Sequence, residues 1–560
     1  MRIALAQINP VIGDFKANQK LIMEYACKAK EKEHCDLVLF PELSLCGAPL
    51  CDLINQARFA ESNVQALQEL TESLPKDIAV GLGYIKQSPF YYGKKFLNVY
   101  GIIHNKKIVF EQMKKSFIKN DVFEFKGERI GIILGSDIWN LKDTWYKDVW
   151  QGEHSWLTKD IINWNFSLFC IPSVFPYISG NYAERLEKIV DINKHWNIPV
   201  INVNMVGAND SIIFDGRSFV SIAQDDELSA KSFEEDLLCF DTPSAGTKSA
   251  SSKPGNSQTK NAQFKTRVND PDELENALVL GIRDYMKKCM FKKAHLGLSG
   301  GIDSALVAYL AVKAIGKENI VSINMPSRFS SQGSKDDSKE LAENLGIKYE
   351  VIPIEPIFEA TLSAVKDIFA EGNFDNKQFD IAEENLQARI RGTLLMAYAN
   401  KFNSMLFASG NKSEAAMGYC TMYGDTNGAL MPIGDIFKTE VFSLCKRINE
   451  RSIAETGKAI IPQAIIDKPP SAELRPNQKD EDSLPPYDTL DEVLKLILYK
   501  NLSLDEITAM GFNKDMVCRI LRTMALSEWK YCQLPPLLKV SEYSFGPGRN
   551  MPIARAIFEV

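Results

Sequence analysis

Short runs of β-branched and other apolar residues alternate with longer amphipathic stretches along most of this chain. Residues 36–40 and 198–203 are typical of buried strands, and residues 319–324 and 404–408 repeat the pattern in the second half. Buried strands that alternate with amphipathic helices predict α/β domains built on largely parallel sheets. The sequence shows no internal repeat.

A polar, low-complexity segment separates two such regions. Residues 242–257 are almost wholly Ser, Thr, Gly, Pro, Lys and Ala, a composition that cannot bury enough apolar surface to order itself. We therefore predict a flexible linker at 242–262, between one domain at 1–241 and a second at 263–560. The length of 560 residues also favours at least two domains.

Composition places the chain among ordinary globular proteins, with 45% hydrophobic and 24% charged residues. The net charge of −7 offers no electrostatic surface for nucleic acid, so no nucleic-acid partner is expected. The 11 cysteines form no CxxC pair, which favours free thiols in a reducing cytoplasm. The chain begins with a short strand-like run rather than a signal peptide, and it has no apolar run of about 18 residues. We expect a cytoplasmic protein without a membrane span.

The most specific motif is Ser299-Gly300-Gly301-Ile302-Asp303-Ser304, which follows an apolar run and precedes a predicted helix. Two adjacent glycines let the backbone approach an anion and point N–H groups at it, and a helix N-terminus adds partial positive charge. The serines offer hydroxyl groups, and the aspartate lies where a metal bound to phosphate would sit. Because no Gly-Lys-Ser/Thr ending follows, this is not a Walker loop. The glycines alone would also fit an ordinary turn capped by serine.

This hexapeptide resembles the pyrophosphate loop of the ATP pyrophosphatases, and five further polar motifs follow it in order. They lie at residues 384–391, 410–414, 418–425, 432–439 and 468–476. With these motifs the region from about residue 270 to the C-terminus is similar to the synthetase domain of NAD synthetases. The resemblance implies an open, doubly wound parallel sheet with ligands at the carboxyl ends of its strands.

The resemblance also implies roles for individual residues. The ATP phosphates would be held by Ser299, Gly300, Gly301, Asp303, Ser304, Ser409 and Ser471. Mg²⁺ would be held by Asp303, Glu414 and Ser471, since hard oxygen ligands suit that ion. Lys438 would neutralise the departing pyrophosphate, which makes Asp303, Glu414 and Lys438 the expected catalytic residues. Arg389 and Asp425 would bind the nicotinate-bearing dinucleotide, deamido-NAD.

The implied reaction has two steps. The nicotinate carboxylate attacks the α-phosphate of ATP and releases pyrophosphate, and ammonia then displaces AMP to give NAD⁺. Positioning and charge stabilisation would account for most of the catalysis. The resemblance further implies a homodimer, or a larger homo-oligomer built from it.

The N-terminal half carries a second resemblance. Residues 39–47 and 212–218 are similar to the nitrilase-type amidase domain of glutamine-dependent NAD synthetases, a four-layer α-β-β-α sandwich. That domain requires a glutamate base, a lysine that stabilises the oxyanion and a cysteine nucleophile. Glu42 matches the base and Lys114 matches the lysine.

The nucleophile has no match in this chain. The family pattern Cys-Glu-Asp-Ile/Leu-Trp corresponds here to Gly-Ser-Asp-Ile-Trp at residues 135–139, so Gly135 stands at the position of the cysteine. Ser136 aligns with the glutamate instead, and an unactivated hydroxyl is a poor nucleophile. Cys46 and Cys51 near Glu42 are interpreted as incidental thiols. The connection between Lys115 and Gly131 is also shorter than in the family, so we predict a folded domain that does not hydrolyse glutamine and a synthetase that uses free ammonia.

Other functions remain open at this point. Nicotinate mononucleotide presents the same carboxylate as deamido-NAD, and glutamine could still be used by a route that the sequence does not reveal. A GMP or asparagine synthetase or a tRNA-thiolating enzyme would share the loop, but the motifs from Arg389 to Arg475 and the lack of a basic surface oppose it. A non-enzymatic scaffold would have an eroded phosphate loop, whereas this loop is intact. The amidase-like domain could be structural or could conduct ammonia.

Overall fold

The computed structural model describes residues 1–88, 95–114, 122–135, 166–196, 198–223, 226–242, 272–371, 380–546 and 549–557. The chain divides into two compact units, Met1–Glu273 and Leu274–Val560. Nearly all of the predicted linker at 242–262 lies outside the described residues, so its limits stay a prediction. None of the helices within these ranges has the length and apolarity that a bilayer crossing requires.

Two six-stranded sheets and a hairpin form the first unit over the ranges described. Its strands are β1 Arg2–Gln7, β2 Leu37–Leu39, β3 Ala79–Gln87, β4 Phe96–His104, β5 Lys107–Met113, β6 Val122–Phe125, β7 Glu128–Ile132, β8 Leu168–Ser173, β9 Val200–Asn204, β10 Val206–Asn209, β11 Ile212–Asp215, β12 Phe219–Ala223, β13 Asp226–Ser229 and β14 Asp236–Asp241. One sheet has the order β14-β1-β2-β3-β4-β5 and the other β13-β12-β9-β8-β7-β6, while β10 pairs with β11. Both six-stranded sheets combine parallel and antiparallel pairs.

The two sheets pack face to face with helices outside them. The helices are α1 Phe15–Glu31, α2 Ala57–Ser73 and α3 Tyr182–Trp196. Side chains alternate along β1, so Ile3 and Leu5 pack between the sheets against Ile130 and Val203 of the second sheet. Ala4 and its neighbours on the opposite face pack against the apolar sides of α1 and α2, and α3 covers the other sheet. The predicted α-β-β-α sandwich is confirmed.

The second unit contains a four-stranded parallel sheet within its described part. Its strands are β15 Ala294–Gly297, β16 Ile320–Asn324, β17 Lys348–Val351 and β18 Met405–Phe407, in the order β17-β16-β15-β18. Its helices are α4 Glu273–Lys288, α5 Ile302–Ile315, α6 Gln332–Leu345, α7 Glu355–Glu371, α8 Ile381–Phe402, α9 Lys412–Ala416, α10 Lys438–Thr456, α11 Gln463–Asp467, α12 Tyr487–Lys500, α13 Leu504–Ala509 and α14 Lys514–Tyr531.

Helices cover both faces of this sheet, as two successive residues of β16 show. Ile323 packs against Phe358 of α7 and Leu395 of α8. The side chain of Asn324 points the other way and donates a hydrogen bond to Ser338 Oγ on α6, over 3.2 Å. The predicted doubly wound parallel sheet is therefore confirmed. Because its strands are parallel, their carboxyl ends and the loops that follow them lie along one edge.

All 11 cysteines are free thiols, as the composition predicts.

Candidate active site

The glycine motif forms the connection from β15 to α5. Gly301 is the N-cap of α5, and its N–H donates to Ser299 Oγ over 3.2 Å. Ser304 Oγ accepts from the Ser299 N–H over 3.3 Å and donates to the Gly301 carbonyl over 2.9 Å. The two serine hydroxyls therefore stabilise the conformation of the turn. The turn lies at the N-terminus of α5, where binding of an anion is favoured.

Gly300 is the position in this turn at which a side chain is least tolerated. Its φ angle is +81°, in the left-handed region, and a Cβ atom built on it would lie 2.3 Å from the carbonyl oxygen of Ser334 on α6. Glycine is required here both by the backbone conformation and by the closeness of another main chain.

We expect Gly300→Ala to weaken ATP binding at least about tenfold, because the strain and the clash must displace the turn or α6. Gly333→Ala is the matched control, since a Cβ at residue 333 meets nothing within 4 Å. Isothermal titration of both variants with Mg-ATP measures the effect. Equal ATP affinity in Gly300→Ala and wild type would contradict the assignment of this turn to phosphate binding.

Three charged residues predicted from separate motifs meet beside this turn. Asp303 lies in the first turn of α5, Glu414 lies on α9 and Lys438 is the first residue of α10. Lys438 Nζ is 2.5 Å from Asp303 Oδ2 and 3.1 Å from Glu414 Oε1. Asn411, just before α9, donates from Nδ2 to Asp303 Oδ1 over 3.0 Å and orients that carboxylate.

Burial and charge set the protonation of this cluster. Burial by itself would lower the pKa of Lys438, but Asp303 and Glu414 raise that pKa above its usual value, so the lysine is a cation. Burial raises the pKa of Glu414 to about 8, and Asp303 adds to the shift while Lys438 opposes it. The buried Asp480 is a third carboxylate near the cluster, and burial raises its pKa as well. The excess of carboxylates over ammonium groups favours a further cation at this place.

The donor set fits magnesium bound together with phosphates. Across the described ranges no group of three or more His, Cys, Asp or Glu side chains forms a complete metal site. Mg²⁺ is commonly held by one or two carboxylates, several waters and the substrate's phosphates, and Asp303 and Glu414 supply two carboxylates. The Ser471 hydroxyl donates to the Gln478 carbonyl over 2.6 Å and accepts from the Glu473 N–H over 3.2 Å.

These residues open onto a cavity of about 310 Å³ at the carboxyl edge of the sheet. Of the residues predicted from sequence, its wall includes Ser299, Gly301, Asp303, Ser304, Ser409, Glu414, Asp425, Lys438 and Ser471. Gly300 is not part of the wall, because it packs against Ser334 of α6. Arg389 is exposed on α8 and is not part of the wall, and its Nε donates to the Met422 carbonyl over 3.3 Å. Its role in binding the dinucleotide stays a prediction.

Sequence reasoning missed other residues in the wall of this cavity. Arg391 lines it, with Nε donating to the Met325 carbonyl over 2.9 Å, and burial lowers the pKa of this guanidinium to about 10. Gln387 and Arg391 are four residues apart and therefore lie on the same face of the predicted helix. From the sequence alone, that face could equally be one exposed to solvent. Asp480 accepts a hydrogen bond from Tyr487 over 2.9 Å, and nothing in its local sequence pointed to the cavity.

In the first unit the three residues of the amidase prediction also meet. Glu42 is fully buried, and its Oε1 lies 2.5 Å from both Lys114 Nζ and Asn98 Nδ2. Gly135 has a φ angle of +34°, and a Cβ built on it would lie 2.5 Å from Glu42 Oε2. A side chain at residue 135 would thus project directly onto the carboxylate of the Glu42–Lys114 pair.

The two cysteines near Glu42 in the sequence, Cys46 and Cys51, differ in burial. Cys46 is fully buried, and burial raises its pKa to about 12, which suppresses the thiolate that a nucleophile requires. Cys51 is exposed. Ser136 and the shortened connection at 115–121 lie outside the described residues.

Comparison with known proteins places both units. The family model "NAD synthase" matches residues 274–534, and the model "Carbon-nitrogen hydrolase" matches residues 2–130. A glutamine-dependent NAD(+) synthetase of Synechocystis sp. is 41% identical over 578 aligned positions, covering 99% of this chain and 98% of the relative. The enzyme of the same name from Xanthomonas campestris pv. campestris is 36% identical, covering 99% of this chain and 97% of the relative.

A solved structure agrees with these matches. The glutamine-dependent NAD⁺ synthetase of Acinetobacter baumannii, determined in complex with ADP, is 30% identical and superposes with a TM-score of 0.71, over 100% of this chain and 99% of that one. The matches extend over 97% to 99% of these relatives and include both units of this chain. This chain therefore belongs to the glutamine-dependent NAD(+) synthetase family of ligases.

Proposed function

We propose that this chain converts deamido-NAD to NAD⁺ through an adenylated nicotinate carboxylate, releases AMP and pyrophosphate, and takes its nitrogen from free ammonia. The observation that carries the synthetase part is the meeting of Asp303, Glu414 and Lys438 beside the Ser299–Ser304 turn at one cavity. The dinucleotide substrate is inferred from the relatives, which are named as NAD(+) synthetases, and the nitrogen donor is inferred from Gly135.

In the first step the turn and the N-terminus of α5 bind the β- and γ-phosphates of ATP, with main-chain N–H groups as donors. Lys438 stabilises the negative charge that grows on pyrophosphate as it leaves, and it does so from a site that is almost fully buried, where such interactions are strong. Magnesium, held by Asp303 and Glu414, would supply charge neutralisation to the same phosphates. Asn411 keeps the Asp303 carboxylate oriented by its hydrogen bond of 3.0 Å.

In the second step ammonia attacks the acyl-adenylate and AMP leaves. No side chain has to form a covalent bond, so the rate depends on holding the adenylate and ammonia in line and on keeping water out. Arg391 and Asp425 are our candidates for substrate binding, because both lie in the cavity wall. We keep Arg389 as a dinucleotide contact because it lies beside the loop that carries Asp425.

The proposal of free ammonia depends on Gly135. Thioester formation with glutamine needs a nucleophilic side chain next to the Glu42–Lys114 pair, and residue 135, whose Cβ position is 2.5 Å from Glu42, has none. Glutamine is the competing donor, because the relatives in the comparison carry the name glutamine-dependent.

We further propose that the synthetase units self-associate. Two consecutive large apolar side chains of α7 are exposed, namely Ile368 at 70% and Phe369 at 42%, and Ile381 at the start of α8 is exposed at 72%. Such apolar exposure on two neighbouring helices is typical of an interface. Sedimentation velocity should show a dimer or larger species at micromolar concentration, and a monomer at all concentrations would contradict this.

The experiment that tests the function uses the purified full-length protein with ATP, magnesium chloride and ammonium chloride. Deamido-NAD and nicotinate mononucleotide are supplied in parallel, and NAD⁺ or nicotinamide mononucleotide, AMP and pyrophosphate are measured by chromatography. We expect NAD⁺, AMP and pyrophosphate in equal amounts, with deamido-NAD preferred. Preference for the mononucleotide would correct the substrate, and release of phosphate and ADP instead of AMP and pyrophosphate would refute the mechanism.

A further inference from the structure

Two cysteines far apart in the sequence lie side by side in the first unit. Cys35 lies in the connection from α1 to β2, and Cys239 lies on β14, whose pairing with β1 sets Cys239 opposite Ala4. The two Sγ atoms are 3.8 Å apart, with Cys35 donating to Cys239. Neither residue takes part in the synthetase chemistry or in the amidase-like site.

The two thiols differ in access to solvent. Cys35 is only 5% exposed and belongs to the apolar cluster beneath α1, whereas Cys239 is partly exposed at the edge of that cluster. A small oxidant can therefore reach Cys239 first. Disulfide formation needs an S–S distance of about 2.05 Å, so the sulfur atoms must approach by roughly 1.8 Å, which the more exposed side chain can provide.

A hydrogen bond from Cys35 favours a thiolate at Cys239. The hydrogen bond from Cys35 lowers the pKa of Cys239, and the positive charges of Arg2 and Lys28 lower it further, while burial and Glu33 oppose them. The same hydrogen bond and burial raise the pKa of Cys35. The more accessible thiol is thus the one prepared to attack, and a second sulfur lies 3.8 Å away, as a resolving cysteine does in redox sensors.

We propose that Cys35 and Cys239 form a reversible redox site that a hydroperoxide converts to an intramolecular disulfide. The Cys239 thiolate attacks one peroxide oxygen, an S–O bond forms, the O–O bond breaks, and hydroxide leaves and is protonated to water. Cys35 then attacks the sulfur of the resulting sulfenic acid, the S–S bond forms and the S–O bond breaks, and a second water leaves. Two thiols lose two electrons in total, and hydrogen peroxide is reduced to two waters.

The disulfide would join β14, the last strand in the described part of the first unit, to the connection between α1 and β2. The closed covalent loop would contain Glu42, Lys114 and Gly135, and so most of the sandwich. Closing so long a loop restricts the unfolded chain and stabilises the folded unit, provided that the native geometry is not strained.

The test uses the full-length protein, first reduced and desalted and then treated with a small excess of hydrogen peroxide. Digestion without reduction, followed by mass spectrometry, should show Cys35 and Cys239 peptides joined with the loss of two hydrogens. The first unit should melt at a temperature higher by about 5 °C, and dithiothreitol should reverse both changes.

Two variants separate this site from general oxidation. In Cys35→Ser the joined peptide should vanish and Cys239 should accumulate as sulfenic acid, whereas Cys51→Ser, which removes an exposed thiol, should leave the joined peptide unchanged. The proposal is wrong if wild-type protein is oxidised only at exposed thiols such as Cys51 and Cys532, or if Cys239 proceeds to sulfinic acid without a joined peptide. This mapping on wild-type protein decides the question even if Cys35→Ser does not fold.

Discussion

Replacement of Lys438 by methionine should lower the rate of NAD⁺ formation by about 10³-fold, the upper end of what one preorganised charge contributes to a transition state. Methionine keeps the length and apolar character of the side chain but removes the ammonium group that lies 2.5 Å from Asp303 and 3.1 Å from Glu414. In the variant the departing pyrophosphate lies near the Asp303 and Glu414 carboxylates without the ammonium group that offsets their negative charge. The loss should appear mainly in kcat, measured by the release of pyrophosphate at saturating ATP and ammonium.

Lys495→Met is the control for this prediction. Lys495 lies on α12 and its ammonium group is 3.9 Å from Glu440, on the partly exposed side of the helix, so its removal should change the rate less than twofold. Thermal unfolding of both variants shows whether the fold is retained, because Lys438→Met also leaves two partly buried carboxylates unpaired. A folded Lys438→Met protein with more than a third of the wild-type rate would exclude Lys438 from charge stabilisation.

Ammonium should support NAD⁺ formation at least about 10³-fold better than glutamine, because a glutaminase without its covalent nucleophile loses several orders of magnitude in rate. Amide-labelled ¹⁵N-glutamine and unlabelled ammonium chloride are supplied together at equal concentration, and the label in NAD⁺ is measured by mass spectrometry. We expect label in fewer than about one molecule per thousand. Label that derives from traces of ammonia in the glutamine is subtracted by measuring the ¹⁵N content of the ammonium pool in the same reaction.

Glu42→Gln serves as the matched variant for that experiment. The substitution removes the charge from the only acid that we assign to the amidase-like site, so with ammonium it should leave the rate of the separate synthetase site unchanged. Abundant label in the wild-type product that disappears in Glu42→Gln would show an active amidase and would refute our interpretation of Gly135. Abundant label that persists in Glu42→Gln would point to glutamine use at another place.

Local signals in the sequence were sufficient for the phosphate-binding turn. Its two glycines, its two serines and the start of the following helix all lie within six residues. Hydrogen bonds of the Ser299 and Ser304 hydroxyls close the turn. Glu414 and Lys438 were found through the order of motifs, since each lies in its own polar cluster. The distances in space from Glu414 and Lys438 to Asp303 could not be predicted, because they depend on how α9 and α10 pack against α5.

Arg391 and Asp480 were missed for a related reason. The cavity wall is assembled from several segments of the second unit, and a residue such as Asp480 has a local sequence that matches an ordinary polar loop. Only the packing of Tyr487 over it, which supplies the hydrogen bond of 2.9 Å, reveals a buried carboxylate. In the amidase-like unit, the sequence assigned positions 42, 114 and 135 to one site. The short distance from Glu42 Oε2 to the Cβ position of Gly135 became apparent only from the structure.

The closeness of Gly135 to Glu42 makes these two positions epistatic. In the present background a Gly135→Cys substitution must shift the Glu42 carboxylate, because a Cβ at residue 135 would lie 2.5 Å from Glu42 Oε2, the flexible end of that side chain. With a shorter residue at position 42 the same thiol would fit, but the base would be lost. The effect of a thiol introduced at residue 135 on glutamine hydrolysis therefore depends on where the Glu42 carboxylate settles relative to Lys114 and Asn98.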